Sequence, residues 1–316
     1  MLHETWLRPL ATLGFVVILA TIFSPRAGGF PIFWHTQNLA NVMRQISDIG
    51  ILAVGMTLVI ISGGIDLSVG SLLALSGTVF AHLLADLQWS PTASILAALV
   101  AAAMFGLVSG VTVAGLNMQP FIVTLAVMIG SRGFARWLVG NATIDIGFGD
   151  DYAARIVQFI AQKTVVVPAF LVVCVVALIL LNGTRFGRYL FAVGGSESAA
   201  RLSGIQVSWV KIRVYALSGL AAGVAGILHS CQTHQGSPNA GIAYELDAIA
   251  AAVIGGTSLA GGRGGIFGTF VGALALGILS NLLGLRNVDE NVQWMLKAII
   301  IVFAVWLQLV GSKRTE

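Results

Sequence analysis

Charged residues are scarce in this sequence. Asp, Glu, Lys and Arg make up 9% of its 316 residues, whereas apolar residues make up 57% and the mean hydropathy is +0.92. Charged residues account for about a quarter of a soluble globular domain, so the composition excludes that class. A transmembrane barrel is also excluded, because the apolar runs are continuous and span-length and do not alternate. The 38 glycines suit closely packed membrane helices.

Groups suited to chemistry are few as well. Cys174 and Cys231 are the two cysteines and both fall in apolar runs, so we expect neither a disulfide nor a metal pair. His229 and His234 flank Cys231, but His229 and Cys231 cannot share a helical face at their spacing, and we expect no metal site there. The sequence contains no GxxxxGK[ST] segment and no Ser/His, paired-Asp or HExxH constellation. We therefore expect neither a nucleotide site nor enzymatic activity, and the modest net charge of +4, placed beside apolar runs, gives no reason to expect a nucleic-acid partner.

Long apolar runs fill most of the chain. Each is long enough to cross a hydrocarbon core of about 30 Å, or nearly so. We predict an all-α integral membrane protein with about ten transmembrane helices. The spans are Leu10–Phe23, Arg44–Ser62, the run from Ser71 to Leu84, Thr92–Leu116, Phe121–Val139, Val165–Leu181, Ile212–Ser230, Tyr244–Ala260, Ile266–Leu283 and Val292–Leu309.

One polar stretch, Asn182–Arg213, separates the first six spans from the last four. It carries five of the 17 basic residues, and basic residues beside spans favour the cytoplasmic side. Ser196 is placed to cap a short helix over Glu197–Leu202, with Gly204 as its C-terminal stop. Such a stiff element favours a docking role for a cytoplasmic partner over a solvated linker. With ten spans both termini are also cytoplasmic, and the acidic loop Asn141–Lys163 is external.

Two glycine-rich bends resemble each other. Val59–Leu75 and Val253–Phe270 each contain an apolar helix that ends at Gly-Gly, a polar bend and a second apolar helix rich in small residues. On the ten-span count they form a parallel repeat with both bends on one side. Paired helices interrupted by glycine point to a substrate path in transporters.

Several polar residues are candidates for that path or its gating. Asp66 is either a helix cap at a cytoplasmic turn, a gating or interface residue, or the acid of a proton relay, although we predict no second buried acid beside it. Asp247 either compensates a helix dipole or contacts a ligand. The turn around Asn117 either lines a pore or only satisfies its own backbone. The candidate pathway residues are Gly63, Gly64, Asp66, Ser68, Gly70, Asn117, Gln119, Phe121, Thr124, Asp247, Gly255, Gly256, Thr257 and Ser258.

Three motifs together resemble a known family. The segments are GMTLVIISGGIDLSVGSLLALSG at 55–77, TRFGRYLFAVGGSESAARLSGI at 184–205 and YELDAIAAAVIGGTSLAGGRG at 244–264. They are similar to the ribose-type permeases of bacterial ABC monosaccharide importers, within the branched-chain amino acid and sugar permease superfamily. The resemblance runs in the same order over nearly the whole chain, which is then a single permease domain of residues 1–316, with spans in 1–181, a coupling loop in 182–213 and further spans in 214–316.

The resemblance implies a subunit of an inner-membrane importer. A second permease copy or a paralogue would complete the pore, a cytoplasmic ATP-binding subunit would bind ATP and Mg, and a periplasmic sugar-binding protein would deliver a monosaccharide, with ribose or a similar pentose favoured. This chain itself would carry no cofactor. The residues expected to couple to the ATPase are Arg185, Gly187, Arg188, Gly194, Glu197, Arg201 and Gly204. The alternative function is an ion- or proton-coupled secondary transporter that works through Asp66.

Overall fold

The computed structural model describes residues 2–289, 291–296 and 298–299. Helices dominate them, in line with long apolar sequences that satisfy their backbone hydrogen bonds internally. The helices are α1 (Leu2–Phe23), α2 (Thr36–Ile61), α3 (Val69–Ala81), α4 (Pro91–Gly115), α5 (Pro120–Leu138), α6 (Tyr152–Ile160), α7 (Lys163–Gly183), α8 (Arg185–Gly195), α9 (Glu197–Leu202), α10 (Val207–Thr233), α11 (Tyr244–Ile254) and α12 (Ile266–Leu285). A 3-10 turn covers Ile32–Trp34, and a π-helical turn, His82–Asp86, extends α3.

Seven helices of the described part are long and apolar enough to cross a membrane: α2, α3 with its π-turn, α4, α5, α7, α10 and α12. A shorter apolar helix covers Pro9–Phe23 within α1. These findings confirm an all-α multi-pass membrane protein. The predicted tenth span, Val292–Leu309, and the C-terminal basic pair Lys313–Arg314 lie largely or wholly outside the described residues.

The predicted eighth span, Tyr244–Ala260, is wrong as a continuous helix. Only Tyr244–Ile254 is helical, and 11 residues at 1.5 Å each reach about 16 Å, half of a hydrocarbon core. The helix ends at Gly255, and Gly256 has a φ of +90°, a conformation that glycine adopts at little cost. This segment is therefore a half-helix, and the chain that leads into it is folded in turns at 238–243.

Helix α10 lies at the centre of the packing, in contact with α2, α3 and α4. Small residues allow the close approach: a Cβ built on Gly106 of α4 would lie 3.0 Å from the Cα of Gly219 of α10, and the converse distance is the same. Such contacts are typical of membrane helices, where dispersion between closely packed backbones replaces the hydrophobic drive.

Two short strand pairs complete the described fold. Strands β1 (Arg26–Ala27) and β2 (Phe30–Pro31) pair with each other, and β3 (Ile144–Asp145) pairs antiparallel with β4 (Gln235–Gly236). The segment 141–163 is therefore more than the predicted loop, since it contains β3 and the amphipathic helix α6. Asp151 caps α6 by accepting a hydrogen bond from the backbone N–H of Ala153.

The polar stretch 182–213 is also mostly helical. Helix α9 has the predicted limits, and Ser196 accepts a hydrogen bond from the N–H of Ala199 at 3.3 Å. Gly204, with a φ of +79°, follows its end as predicted. Helix α8 was not predicted, and α10 begins at Val207, five residues before the predicted Ile212. We call the end of the molecule that carries α8 and α9 the α9 end, and the end that carries β3 and β4 the opposite end.

Candidate functional site: a docking segment and two broken helices

Helix α9 is held in place by a charged cluster. Glu197 accepts hydrogen bonds from Lys211 of α10 at 2.6 Å and from Arg201, one turn along α9, at 3.2 Å. The hydrogen bond from Lys211 is the main cause that holds the pKa of Glu197 below its ordinary value. Glu197 is therefore a positioning group that fixes α9 against the start of α10.

The outward surface of α8 and α9 mixes basic and apolar side chains. Arg185, Arg188 and Arg201 are exposed, and Leu202 is 91% exposed, more than any other large apolar residue that the structure describes. We call α8 and α9 together the docking segment. A fully exposed leucine at the tip of a polar segment suits an anchor that is buried in a partner.

Gly187 sets the angle between α7 and α8. A Cβ at this position would overlap the carbonyl oxygen of Leu181 and lie 2.8 Å from its Cα. The Thr184 side chain caps α8 by accepting a hydrogen bond from the Gly187 N–H at 3.3 Å. Any larger residue at 187 would push α8 away from the end of α7.

Three glycine-containing segments meet at the α9 end, at what we call the glycine joint: the end of α2 at Ile61–Gly63, the end of α8 at Gly194–Gly195, and the turn at Gly261–Gly262. The Gly262 N–H donates to the Ile61 carbonyl at 2.9 Å. A Cβ on Gly194 would overlap this carbonyl oxygen, and a Cβ on Gly261 would lie 3.1 Å from the Cα of Gly63. The two bends that resemble each other in sequence therefore lie at the same end, as predicted, and both contact the end of α8.

Asp66 lies inside the protein with no exposed surface. One carboxylate oxygen accepts from the N–H and hydroxyl of Ser68, at 3.0 and 2.5 Å, and the other accepts from the Ser218 hydroxyl of α10 at 2.8 Å. Ser218 is about 16 Å along α10 from Val207, at 1.5 Å per residue. Asp66 therefore stabilises the turn before α3 at mid-depth, which is not the turn at the cytoplasmic surface that one of the sequence hypotheses required.

Chain 62–68 thus runs from the α9 end back to mid-depth, where α3 begins. Gly64 on this path is buried, and a Cβ there would overlap the Tyr215 hydroxyl. The path is also held from α5, because the buried Thr124 hydroxyl donates to the Ile65 carbonyl at 3.2 Å. The crossing that ends in α3 is consequently the second broken element, since chain 62–68 is not helical and α3 begins only at Val69.

The N-terminal ends of α3 and α11 meet at this depth. A Cβ on Gly70 would overlap the carbonyl oxygen of Gly241 and lie 2.5 Å from a carboxylate oxygen of Glu245. Helix α3 runs from here to the opposite end and α11 runs to the α9 end, so the half-helices are antiparallel. Asp247, in the first turn of α11, is half-buried, a position in which it favours the helix dipole. We call this contact the mid-depth junction.

The second bend is built from its own backbone. Gly255 packs on Gly268 of α12, Thr257 is buried, and the Ser258 N–H donates to the Arg263 carbonyl at 3.0 Å. Gly256 is exposed. The bend therefore presents little side chain, and its shape is set by glycine conformations.

The four candidate residues at the turn before α5 differ in their exposure. Asn117, Gln119 and Phe121 are exposed, and Asn117 has a φ of +52°. Thr124 is buried and hydrogen-bonded, so it supports the first bend and does not line an open surface.

The sequence analysis missed a second buried acid. Asp48 of α2 is 8% exposed and binds His229 at 2.9 Å and Gln232 at 2.8 Å, both on α10; Arg44 donates to Gln232 at 2.9 Å. The expectation that Asp66 is the one buried acid is therefore wrong. Arg44 and Asp48 are one helical turn apart in a predicted span, and His229 and Gln232 are one turn apart at the end of another. This spacing was the sequence signal that could have predicted the cluster.

Arg132 of α5 was also missed. It is half-buried and donates to the carbonyl oxygens of Pro238 and Ala240, both at 2.9 Å. These bonds fix the turns that lead into α11. Arg136 contributes through Asn239, at 2.7 and 3.0 Å.

These features define a polytopic permease: span-length helices, two broken helices that meet at mid-depth, and an exposed docking segment tied to them. Residues 38–305 match the family described as branched-chain amino acid transport system / permease component, and the chain belongs to this family. It is 42% identical to the ribose import permease protein RbsC of Escherichia coli (strain K12) over 98% of this chain and 96% of the relative. The corresponding protein of Bacillus subtilis (strain 168) is 40% identical over 95% and 92%, and the xylose transport system permease protein XylH of Haemophilus influenzae is 34% identical over 95% of both.

This membership confirms the prediction of a transport component that is not an enzyme. It also overturns the alternative of an ion-coupled transporter acting through Asp66, since the family is that of a transport-system permease component. The carboxylate of Asp66 agrees with this correction, because both of its oxygens accept structural hydrogen bonds.

Proposed function

We propose that this chain is the transmembrane permease subunit of an ATP-driven importer that passes ribose or a similar pentose into the cytoplasm. The observation that carries the proposal is identity of 40–42% over 90% or more of the chain with proteins named ribose import permeases. Proteins named xylose transport permeases match at 34–35%, which favours ribose within the pentoses.

The proposed orientation places the α9 end in the cytoplasm of a bacterium and the opposite end outside its inner membrane. The basic docking segment supports this side. Helix α1 begins at the α9 end, since a Cβ on Gly256 would lie 3.7 Å from the Pro9 side chain, and ends beside α12, where Arg286 donates to the Phe23 carbonyl at 2.6 Å. The N-terminus is then cytoplasmic, and ten crossings within one transmembrane domain would bring the C-terminus to the same side.

A cytoplasmic ATP-binding subunit is the proposed partner of the docking segment, and it would hold ATP and Mg. Arg185, Arg188, Arg201 and Leu202 would contact it, whereas Glu197, Gly187 and Gly204 would fix the position of α8 and α9. A second copy of the chain or a paralogue would complete the pore, and a periplasmic binding protein would deliver the sugar at the opposite end.

The sugar pathway is proposed to pass the mid-depth junction. Half-helices that meet within the membrane expose backbone ends, and these require protein or a water-filled cavity for their hydrogen bonds. Asp66, Ser68 and Gly70 shape the junction from α3, and Asp247 from α11. Gly63, Gly64 and Gly255–Ser258 shape the bends that position it, and Asn117, Gln119 and Phe121 lie at the exposed turn before α5.

The test is reconstitution in lipid vesicles of the chain with its ATPase and its binding protein. We expect ribose-loaded binding protein to stimulate ATP hydrolysis. Radiolabelled ribose should move from the side of the membrane that holds the binding protein and accumulate on the side of the ATPase. An uncoupler with ATP held constant should leave uptake unchanged. Uptake that an ion gradient drives without the ATPase would contradict the proposal, and stimulation by another sugar alone would correct the substrate.

A further inference from the structure

We propose that Gly194 and Gly262 are positioning residues that join the docking segment to both helix bends, so that these three parts move as one rigid body during transport. The proposal rests on the proposed function and extends it, since it states how movement of the docking segment reaches the broken helices. Its basis is the glycine joint.

Backbone contacts backbone at the joint, without an intervening side chain. A Cβ on Gly194 would overlap the Ile61 carbonyl oxygen and lie 2.6 Å from the Gly262 nitrogen, and a Cβ on Gly262 would lie 2.8 Å from the Cα of Gly195. Side chains between moving parts can change rotamer and absorb a displacement. Backbones in direct contact have no such freedom, so a shift of α8 is passed to both bends.

The hydrogen bond across the joint strengthens this link. Ile61 is the last residue of α2, and the final carbonyl groups of a helix have no partner within it. The Gly262 N–H supplies one. The second bend thus caps the helix that leads into the first bend, and separating the bends would remove this partner from the carbonyl of the buried Ile61.

A second route connects the same parts. Glu197 of α9 binds Lys211 of α10, and Ser218 of α10 binds Asp66 beyond the first bend. The docking segment is therefore tied to the first bend both directly, through Gly194, and through α10. Two routes that converge on one bend resist a relative rotation that a single contact would permit.

The two neighbouring glycines of α8 provide a matched pair of variants. Gly194→Ala places a methyl group against Ile61, whereas Gly195→Ala points into open space, with nothing within 4 Å of its Cβ. In the reconstituted complex with ATPase and binding protein we measure sugar transported per ATP hydrolysed. We expect this ratio to fall about tenfold or more in Gly194→Ala, from overpacking of a close contact, and to be unchanged in Gly195→Ala.

Outcomes are distinct for the two proposals. A Gly194→Ala complex that keeps the wild-type ratio overturns the rigid joint. A wild-type chain that neither binds an ATPase nor transports a sugar overturns the proposed function instead.

If Gly194→Ala does not fold, a distance measurement that leaves the glycine joint unchanged tests the proposal. Spin labels at Ala199→Cys, which is exposed on α9, and at Leu259→Cys report on the docking segment and the second bend. Ala199→Cys with Asp145→Cys spans the molecule. The two native cysteines are buried, and labelled chains are diluted with unlabelled ones. On ATP binding we expect the first distance to stay constant while the second changes. A first distance that changes as much as the second overturns the proposal.

Discussion

At the scale of single residues, Asp66 shows how a buried charge can be structural. Its carboxylate accepts three hydrogen bonds, two from Ser68 and one from Ser218. Without hydrogen-bond partners, an acidic side chain inside a membrane protein would be costly, and such residues usually have a functional role. Here the bonds hold chain 62–68 against α10, so the residue supports the turn that precedes α3.

Variants of Asp66 distinguish a structural role of this residue from a role in gating. We expect Asp66→Ala to destabilise the protein by about 1–3 kcal/mol, because the donors on Ser68 and Ser218 lose their acceptor. Ser218→Ala should act in the same direction by about 1 kcal/mol, and the double variant should be less than additive. Thermal unfolding in detergent measures these effects. Loss of transport in Asp66→Asn at unchanged melting temperature would instead assign a gating role.

Leu202 is the second residue with a distinct expectation. A side chain that is 91% exposed contributes little to the stability of the isolated chain. Leu202→Ala should therefore leave the melting temperature of the chain unchanged. If it is a buried anchor in the complex, the affinity for the ATPase should fall roughly tenfold, as measured by titration of the solubilised chain. Leu202→Met is the control, and equal affinity of Leu202→Ala and wild type would exclude the anchor.

At the scale of elements, helix α9 depends on Glu197. The pKa of Glu197 is held below its ordinary value, mainly by Lys211, so the ion pairs stabilise α9 above the ordinary pKa and are lost only as pH falls through the lowered one. ATPase binding should therefore show no titration by Glu197 between about pH 6 and 8. Glu197→Gln should weaken that binding and reduce its sensitivity to salt. A loss of binding in this pH window that Glu197→Gln abolishes would contradict the assignment.

The contact between α3 and α11 can be tested with two glycines. Gly70→Ala places a methyl group against Gly241 and Glu245, whereas Gly130→Ala, within α5, meets nothing within 4 Å. We expect Gly70→Ala to lower stability by about 1–3 kcal/mol and transport with it. Gly130→Ala should be neutral or stabilise by up to about 1 kcal/mol. Similar melting temperatures for the two variants would show that the mid-depth junction tolerates separation.

Prediction from sequence succeeded where the signals were local. The limits of α9 follow from Ser196 and Gly204, because a cap and a left-handed glycine act within one turn. The half-length of α11 could not be predicted from hydropathy, since the residues at 255–260 that follow it carry no charge and leave the apolar run unbroken. The mid-depth start of α3 depends on how chain 62–68 packs against α10, which hydropathy does not report. The pair of Asp48 and His229 likewise depends on how α2 and α10 face each other, which only packing decides. The residue roles at the docking segment and the junction stay predictions.

At the scale of the whole molecule, the functional features of the described part are divided between two ends. The docking segment, both bends and the start of α1 lie at the α9 end, and the paired strands β3 and β4 lie at the opposite end. A single membrane must then separate Leu202 from Asp145.

Thiol labelling of cells checks this arrangement. In Asp145→Cys, a reagent that cannot cross the membrane should react with intact spheroplasts. In Leu259→Cys, an exposed position of the second bend at the α9 end, it should react only after permeabilisation, in line with a cytoplasmic α9 end. The buried native cysteines keep the background low, and the unsubstituted chain is the control. Reaction of both variants from one side would show that the membrane does not separate the α9 end from the opposite end. Reversed accessibility would place the α9 end outside the cell.

The shortness of α11 also constrains how the chain is made. A helix of about 16 Å cannot anchor in a bilayer by itself, and the turns that lead into it carry backbone groups that lipid cannot satisfy. During synthesis, segment 235–254 must therefore wait near the translocon until α12 has emerged and can pack beside it. Insertion of the last third of the protein is then a cooperative event between nascent segments, and a ribosome stalled before residue 285 would hold a chain whose α11 has not yet entered the membrane.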